Sequence, residues 1–270
     1  MKIDGNVFVV TGAGNGIARE ATMHLLARGA SVAGVDLSEA GLAETARLAD
    51  AGDRFSQHLV DITDRAAVEA LPAAVERAHG RVDGILNIAG VIQQFVKVVD
   101  LPFSEIDKVM SVNFGGVMNM CKAFLPTLLA RPEAAILNVA SMGAYAPVPG
   151  QAVYGASKAA VKLVTEALYA ELLDTNVQVT VVFPGAIGTD IAANSGVTLA
   201  GGETREAAAE ASSYKTTSPI VAGRVVVDAL AKGRFRATIG SDAAAMDRIS
   251  RINPKYATTL IAKQMGSLLG

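Results

Sequence analysis

The sequence holds one cysteine, no tryptophan and three histidines. A single cysteine excludes an intramolecular disulfide framework and a cysteine-rich zinc site. Three scattered histidines do not make up a metal site, and none is expected. Charge is scarce as well. Only 19% of residues are charged, and 24 Lys and Arg against 26 Asp and Glu leave a net charge of −2. A general nucleic-acid binder needs a basic face, which this balance does not provide. A hydrophobic content of 51% argues against a long disordered segment. No apolar run reaches the length that spans a bilayer, and no signal-peptide core follows Met1. The expectation is a cytoplasmic globular protein, with one domain over residues 1–270.

What is present alternates strand and helix. Residues 7–10 form a β-branched run with no polar alternation, the mark of a strand buried on both faces and hence parallel. A glycine-rich turn over 12–16 and a helix over 17–27 follow. The unit repeats with strands at 31–35, 55–60, 84–88, 134–140, 177–183 and 237–239. Helices are expected at 39–50, 65–79, 103–129, 152–173 and 219–232, with Pro126 bending or ending the long third one. Ser218-Pro219 reads as an N-cap with proline at the first helical position. This pattern predicts an α/β fold, a doubly wound parallel sheet of about seven strands with helices on both faces. Residues 192–217 are rich in small residues and read as a mobile lid, with a plain surface insertion as the alternative. A helical tail is expected over 243–269.

In such a sheet, ligands bind at the carboxyl ends of the strands, near the switch point. The first such end is Thr11-Gly12-Ala13-Gly14-Asn15-Gly16-Ile17-Ala18. Small residues there let backbone approach a pyrophosphate, and the helix N-terminus offers it free N–H groups. Asp36 ends the second strand 20 residues after Gly16. At that place a carboxylate accepts both ribose hydroxyls of NAD and repels a 2′-phosphate. No Arg or Lys lies at 12–16 or 37–40 to compensate, so NAD is expected over NADP; a capping or turn role is the alternative for Asp36. Asp61 is placed to bond the adenine amino group, or else serves as an acid at a helix N-terminus. Asn15, Ile17, Leu37 and Ile62 are expected to complete this wall.

The chemical end is carried by Tyr154 and Lys158, four apart on one helix face. A free tyrosine is a poor base near neutral pH, and a neighbouring cation favours its phenolate. Ser141 follows the fifth strand at its carboxyl end, placed to hold the oxygen that Tyr154 protonates. Asn113, inside a helix and amid apolar residues, needs a specific partner.

Taken together, the chain resembles the short-chain dehydrogenase/reductase family from about Val7 to Gly240. The phosphate loop falls on Thr11, Gly12, Gly16 and Ala18, and the N-N-A-G motif on Asn87, Ile88, Ala89 and Gly90. The catalytic tetrad falls on Asn113, Ser141, Tyr154 and Lys158, and P-G-x-x-x-T on Pro184, Gly185 and Thr189. Ala18 in place of a glycine and Ile88 in place of an asparagine depart from the pattern. The resemblance implies reversible hydride transfer between NAD(H) and a carbinol carbon. Tyr154 is then the general acid/base, Lys158 lowers its pKa and holds the nicotinamide ribose, and Ser141 positions the substrate oxygen. Asn113 holds a water that links Lys158 to solvent, and Ile187 and Thr189 close over the nicotinamide carboxamide. Asn87, Ala89, Gly90, Pro184 and Gly185 join the cofactor set.

The stretches expected to meet substrate are 92–95, 142–145, 148–151 and 187 onward. They are mainly apolar, with amides from Gln93, Gln94 and Gln151 and no Arg or Lys close to Ser141; Arg205 or Lys215 on the lid would be the nearest cations. An uncharged secondary alcohol or ketone is the expected partner, with no nucleic acid and no membrane. The resemblance further implies a homodimer or homotetramer. Two other readings stay open. One is an NAD(H)-sensing regulatory protein with the fold and little turnover. The other is an epimerase or dehydratase that uses hydride transfer transiently, for which the chain lacks the usual longer substrate domain.

Overall fold

The computed structural model describes residues 1–197 and 216–266; most of the expected lid, with Arg205 and Lys215, and residues 267–270 lie outside them. The described chain runs β1 (Val7–Thr11), α1 (Gly16–Ala27), β2 (Ser31–Asp36), α2 (Glu39–Ala49), β3 (Phe55–Leu59), α3 (Arg65–His79) and β4 (Gly84–Asn87). It continues with α4 (Phe103–Met110), a π-helical turn (Ser111–Gly116), α5 (Val117–Leu129), β5 (Ala134–Val139), α6 (Ala152–Glu171) and β6 (Val177–Pro184). Then come a short α7 (Ile191–Asn194), α8 (Pro219–Ala231), β7 (Arg236–Ile239), α9 (Ser241–Ile252) and α10 (Pro254–Met265). The seven strands form one sheet in the order β3-β2-β1-β4-β5-β6-β7, and every neighbouring pair is parallel.

Alternation along the strands sends successive side chains to opposite faces. Phe8 and Val10 of β1 join Leu25 of α1 and Val226 of α8 in one apolar layer. Val7 and Val9 join Val75 of α3, Phe124 of α5 and Val161 of α6 in the other. All five residues of β1 and all six of β5 are buried, which is why these runs carry no polar alternation. Local signals set the helix ends. Ser38 caps α2 on Gly41 N, and Asp64 caps α3 on Ala66 N and Ala67 N. Ser218 caps α8 on Val221 N, with Pro219 in its first turn.

Two helical expectations are corrected. The helix expected over 103–129 is interrupted by the π-helical turn, where Asn113 turns its amide to partners outside the helix. Pro126 does not end α5, which continues to Leu129. The expected tail is two helices, broken at Asn253-Pro254. A residue before proline is pushed out of the helical region, and Asn253 takes φ −145° and ψ 86° while its side chain caps α10 on Tyr256 N. The tail is no loose appendage. Tyr145 donates its hydroxyl to Ala243 O at 2.9 Å, and Met246, Ala257 and Ile261 form a small core with Ala146.

At the amino ends of the strands, the buried Asp83 carboxylate accepts from Val7 N at 2.9 Å, Arg81 Nε at 2.8 Å and Arg131 Nε at 2.8 Å. It ties the start of β1 to the segments before β4 and β5. Asp83→Ala leaves the Val7 N–H and two guanidinium groups without this acceptor. A loss of about 2–4 kcal/mol in urea unfolding is expected, with catalytic constants of the folded fraction unchanged because the site lies at the opposite edge.

Candidate active site

The carboxyl ends of the strands open on a cavity of about 500 Å³. One end is walled by the β1–α1 turn and by Asp36, Leu37, Asp61 and Ile62; the other by Ser141, Tyr154, Lys158 and Ile187. The β1–α1 turn depends on close backbone approach. Gly12 has φ +78°, and a Cβ there would stand 3.0 Å from Ala89 Cα. Thr11 holds the facing loop, because its Oγ1 accepts from Ile88 N at 3.1 Å and Ala89 N at 3.2 Å. Asp36 is fixed by two backbone donors, Gly14 N at 2.8 Å and Ser38 N at 2.9 Å. Arg19 bonds Gly14 O and, through Nε, Thr45 Oγ1 at 2.9 Å.

The N-terminus of α1 faces this cavity through Asn15, Gly16 and Ile17. Unlike α2, α3, α8 and α10, it has no side-chain cap, and its first turn carries no acid. Free N–H groups at a helix start are an anion site. That fits the pyrophosphate of a dinucleotide, and Asp36 lines the same cavity.

At the other end, α6 places Tyr154 and Lys158 one turn apart. Ser141 Oγ accepts from Gly143 N at 3.0 Å, which leaves its O–H free to donate. The turn Met142–Ala144 packs close on α6, and a Cβ at Gly155 would lie 3.1 Å from Gly143 O. Burial pushes the Tyr154 phenol up, and its hydrogen bond with Ser141 opposes that. Lys158 Nζ stands 6.0 Å from the Tyr154 ring centroid and donates to Val139 O at 3.0 Å. Burial lowers its pKa to about 8. Desolvation is the largest influence on both groups, raising the phenol and lowering the ammonium.

Nearly all residues singled out from sequence meet at this cavity: Gly12, Asn15, Gly16, Ile17, Asp36, Leu37, Asp61, Ile62, Ala89, Gly90, Ser141, Tyr154, Lys158, Pro184, Gly185, Ile187 and Thr189 line it. Asn87 and Asn113 stand behind the wall. Asn87 Nδ2 donates to Asn138 Oδ1 at 2.8 Å. Asn113 Oδ1 accepts from Val91 N at 2.8 Å, while its Nδ2 donates to Val91 O at 2.9 Å and Ser157 Oγ at 3.0 Å. Its amide thus braces the loop after β4, and a Cβ on Gly90 would stand 3.2 Å from Asn113 Oδ1 and 3.1 Å from Lys158 Nζ. The substituted positions are absorbed: Ala18 and Ile88 pack in the core under the cavity. The glutamines expected along the substrate side turn away. Gln93 caps α6, Gln151 donates to Gln93 O, and Gln94 donates to Gly196 O. Ile191 and Asn194 of α7, within the stretch from 187 onward expected to meet substrate, also line the cavity.

A family model described as short chain dehydrogenase matches residues 6–199. The chain belongs to this family. SadH of Mycobacterium tuberculosis, an oxidoreductase by name, is 38% identical over 264 residues, covering 96% of this chain and 95% of its own. A short-chain dehydrogenase/reductase from Burkholderia phymatum, solved in complex with NAD, superposes with a TM-score of 0.85 at 25% identity, covering 95% of this chain and 96% of that one. A short chain dehydrogenase from Burkholderia cenocepacia, solved in complex with NADP, gives 0.80 at 27% identity, with 97% and 99% covered. This short-chain dehydrogenase is accordingly an oxidoreductase with the family's doubly wound fold. No described helix is long and apolar enough to cross a membrane.

The buried Lys158 makes stability depend on pH. Unfolded, a lysine keeps its proton to about pH 10.4; folded, Lys158 releases it near 8. Between these values the unfolded state binds more protons, so the wild type gains stability as pH rises, by about 3 kcal/mol in all. Relative to wild type, Lys158→Met is expected to be at its most favourable below pH 8 and to lose that advantage towards pH 10. Urea unfolding of both proteins across this range checks it; a difference that stays flat with pH contradicts it.

Proposed function

We propose that this short-chain dehydrogenase is an NAD-dependent alcohol dehydrogenase or ketone reductase acting on an uncharged, fairly apolar secondary alcohol or ketone. The observation that carries the reading is the meeting of Ser141, Tyr154 and Lys158 at the end of a cavity whose far end has an uncapped helix start and a carboxylate. NAD, when bound, supplies the hydride acceptor for alcohol oxidation, and its reduced form the donor for the reverse. Residues of the β1–α1 turn hold the pyrophosphate, and Asp36 takes the adenosine ribose hydroxyls. Asp61 and Ile62 border the adenine, with Leu37 beside them. Lys158 Nζ, with one donor on Val139 O, keeps others for the nicotinamide ribose. Ala89, Gly90, Pro184, Gly185, Ile187 and Thr189 wall the nicotinamide.

In oxidation, Ser141 donates to the substrate oxygen and holds it against the Tyr154 phenol. Tyr154 Oη takes the carbinol proton as the carbon loses hydride, and returns it in reduction. Bound oxidised cofactor would bring positive charge into the cavity, which favours the phenolate against the burial that raises the phenol. The proton would then leave by way of Lys158 and a water held by Asn113 to bulk solvent. Asn113 serves this chain by bracing Val91 and Ser157, which fixes the wall next to Lys158.

The charged residues among the described lining are Asp36, Asp61 and Lys158. The substrate end adds Val91, Ile92, Val112, Ile187 and Ile191, which supports an uncharged partner. Asp36 repels a 2′-phosphate, and Arg19 is already engaged by Gly14 and Thr45, which supports NAD. Exposed Leu163 of α6 and Phe103 of α4 support a homodimer or homotetramer through these helices.

Tyr154→Phe is expected to bind NAD as the wild type does while kcat falls by about a thousandfold; titration calorimetry and initial rates check it, and retained turnover contradicts the assignment of the base. Asp36→Ala is expected to narrow the preference for NAD over NADP by at least about tenfold, read as the ratio of kcat/KM values. An unchanged ratio would place discrimination elsewhere.

A further inference from the structure

The start of α6 is capped from outside the helix. Gln151, at the N-cap position, makes no cap bond of its own. The acceptor is Gln93, from the loop that follows β4. Its side chain is fully buried, and its Oε1 accepts from Val153 N at 2.8 Å and Tyr154 N at 3.0 Å. Those are two of the N–H groups that a helix start leaves without intrahelical partners, and one belongs to Tyr154 itself. Gln151 closes the clasp by donating Nε2 to Gln93 O at 2.6 Å.

The same loop is gripped from other sides. Asn113 holds both polar groups of Val91, and Ser195 Oγ accepts from Ile92 N at 3.0 Å. Three consecutive residues, Val91, Ile92 and Gln93, therefore connect the π-helical turn, the α7 segment and the catalytic helix.

The cap has an unusual chemistry. A carboxylate at this place would accept the two N–H groups more strongly and would suit the helix dipole. An amide leaves Gln93 Nε2 buried without a partner, and Gln151 Oε1 likewise. The chain carries the amide despite that cost. A neutral acceptor anchors Tyr154 without setting a negative charge next to it. Lys158 on the same helix supplies the charge near the ring, and Ser141, from the turn after β5, faces the phenol with a neutral hydroxyl.

We propose that Gln93 is a positioning residue for Tyr154: its amide oxygen fixes the first turn of α6, and with it the place of the phenol relative to Ser141 and Lys158. The inference rests on the reading of Tyr154 as the general acid/base.

The test uses Gln93→Glu, which keeps the acceptor and adds charge, and Gln93→Met, which removes the acceptor. Melting temperature, NAD affinity and the pH profile of kcat for alcohol oxidation are measured for both. Gln93→Glu is expected to melt no lower than wild type and to bind NAD within about twofold. The midpoint of its kcat profile should move upward by about half a unit to one unit. Gln93→Met is expected to lose about tenfold to a hundredfold in kcat across the profile, with KM for NAD little changed. Wild-type kcat and midpoint in both variants would overturn the proposal. So would a Gln93→Met loss that merely tracks melting while Gln93→Glu leaves the midpoint in place, since that is what a purely structural cap would give. Turnover retained in Tyr154→Phe would be a distinct failure, of the base assignment, and would remove the ground of the inference with it.

Discussion

The site exists because seven parallel strands must end together. Parallel pairing puts every carboxyl end on one edge of the sheet, and the crossovers force helices onto both faces. The strand order reverses at β1, with β2 on one side and β4 on the other. The loops after β1 and β4 therefore part at that point, and the crevice between them receives the uncapped start of α1. Asp36, at the end of β2, and Ser141, just beyond β5, are carried to the two flanks of the same crevice by register alone. None of these groups is close to another in sequence.

Precision at this edge comes from backbone held at short range. Thr11 takes two N–H groups of the loop after β4. Asn113 takes Val91, and Gln93 takes the start of α6. Each is a buried side chain spending its polar atoms on another segment's main chain. Such bonds are costly to leave unmade in a dry interior. They bind the loop after β4 to β1, the π-helical turn and α6, so that Tyr154, Lys158 and Ser141 share one rigid surround. Desolvation is the other consequence. It raises the phenol and lowers the ammonium, favouring the uncharged form of each.

Much of this was legible in the sequence. β-branched runs marked the strands, and Ser218-Pro219 marked a helix start, because strand burial and capping are local. The residues at strand ends converged as expected, since topology follows from the alternation. Side-chain aim was not legible. Gln93 and Gln151 lie in a stretch that lines the site, yet their amides face the helix start, a choice settled by which N–H groups need an acceptor. Asn113 sits in a helical pattern, and only contact with Val91 and Ser157 accounts for its place in a π-helical turn. Asn87 belongs to the motif but serves Asn138. The break at Asn253-Pro254 follows from proline chemistry alone.

The account joins an anion-binding helix start, a ribose-binding carboxylate and a buried phenol–ammonium pair into one dehydrogenase site. The most direct test is NADH formation at 340 nm by the purified protein, with NAD and a panel of secondary alcohols at mildly alkaline pH. The panel spans small aliphatic and cyclic alcohols, sterols, polyols and hydroxy acids. The account predicts turnover confined to uncharged, mainly apolar members. Silence across the panel from protein that still binds NADH, or a preference for the hydroxy acids, would contradict it.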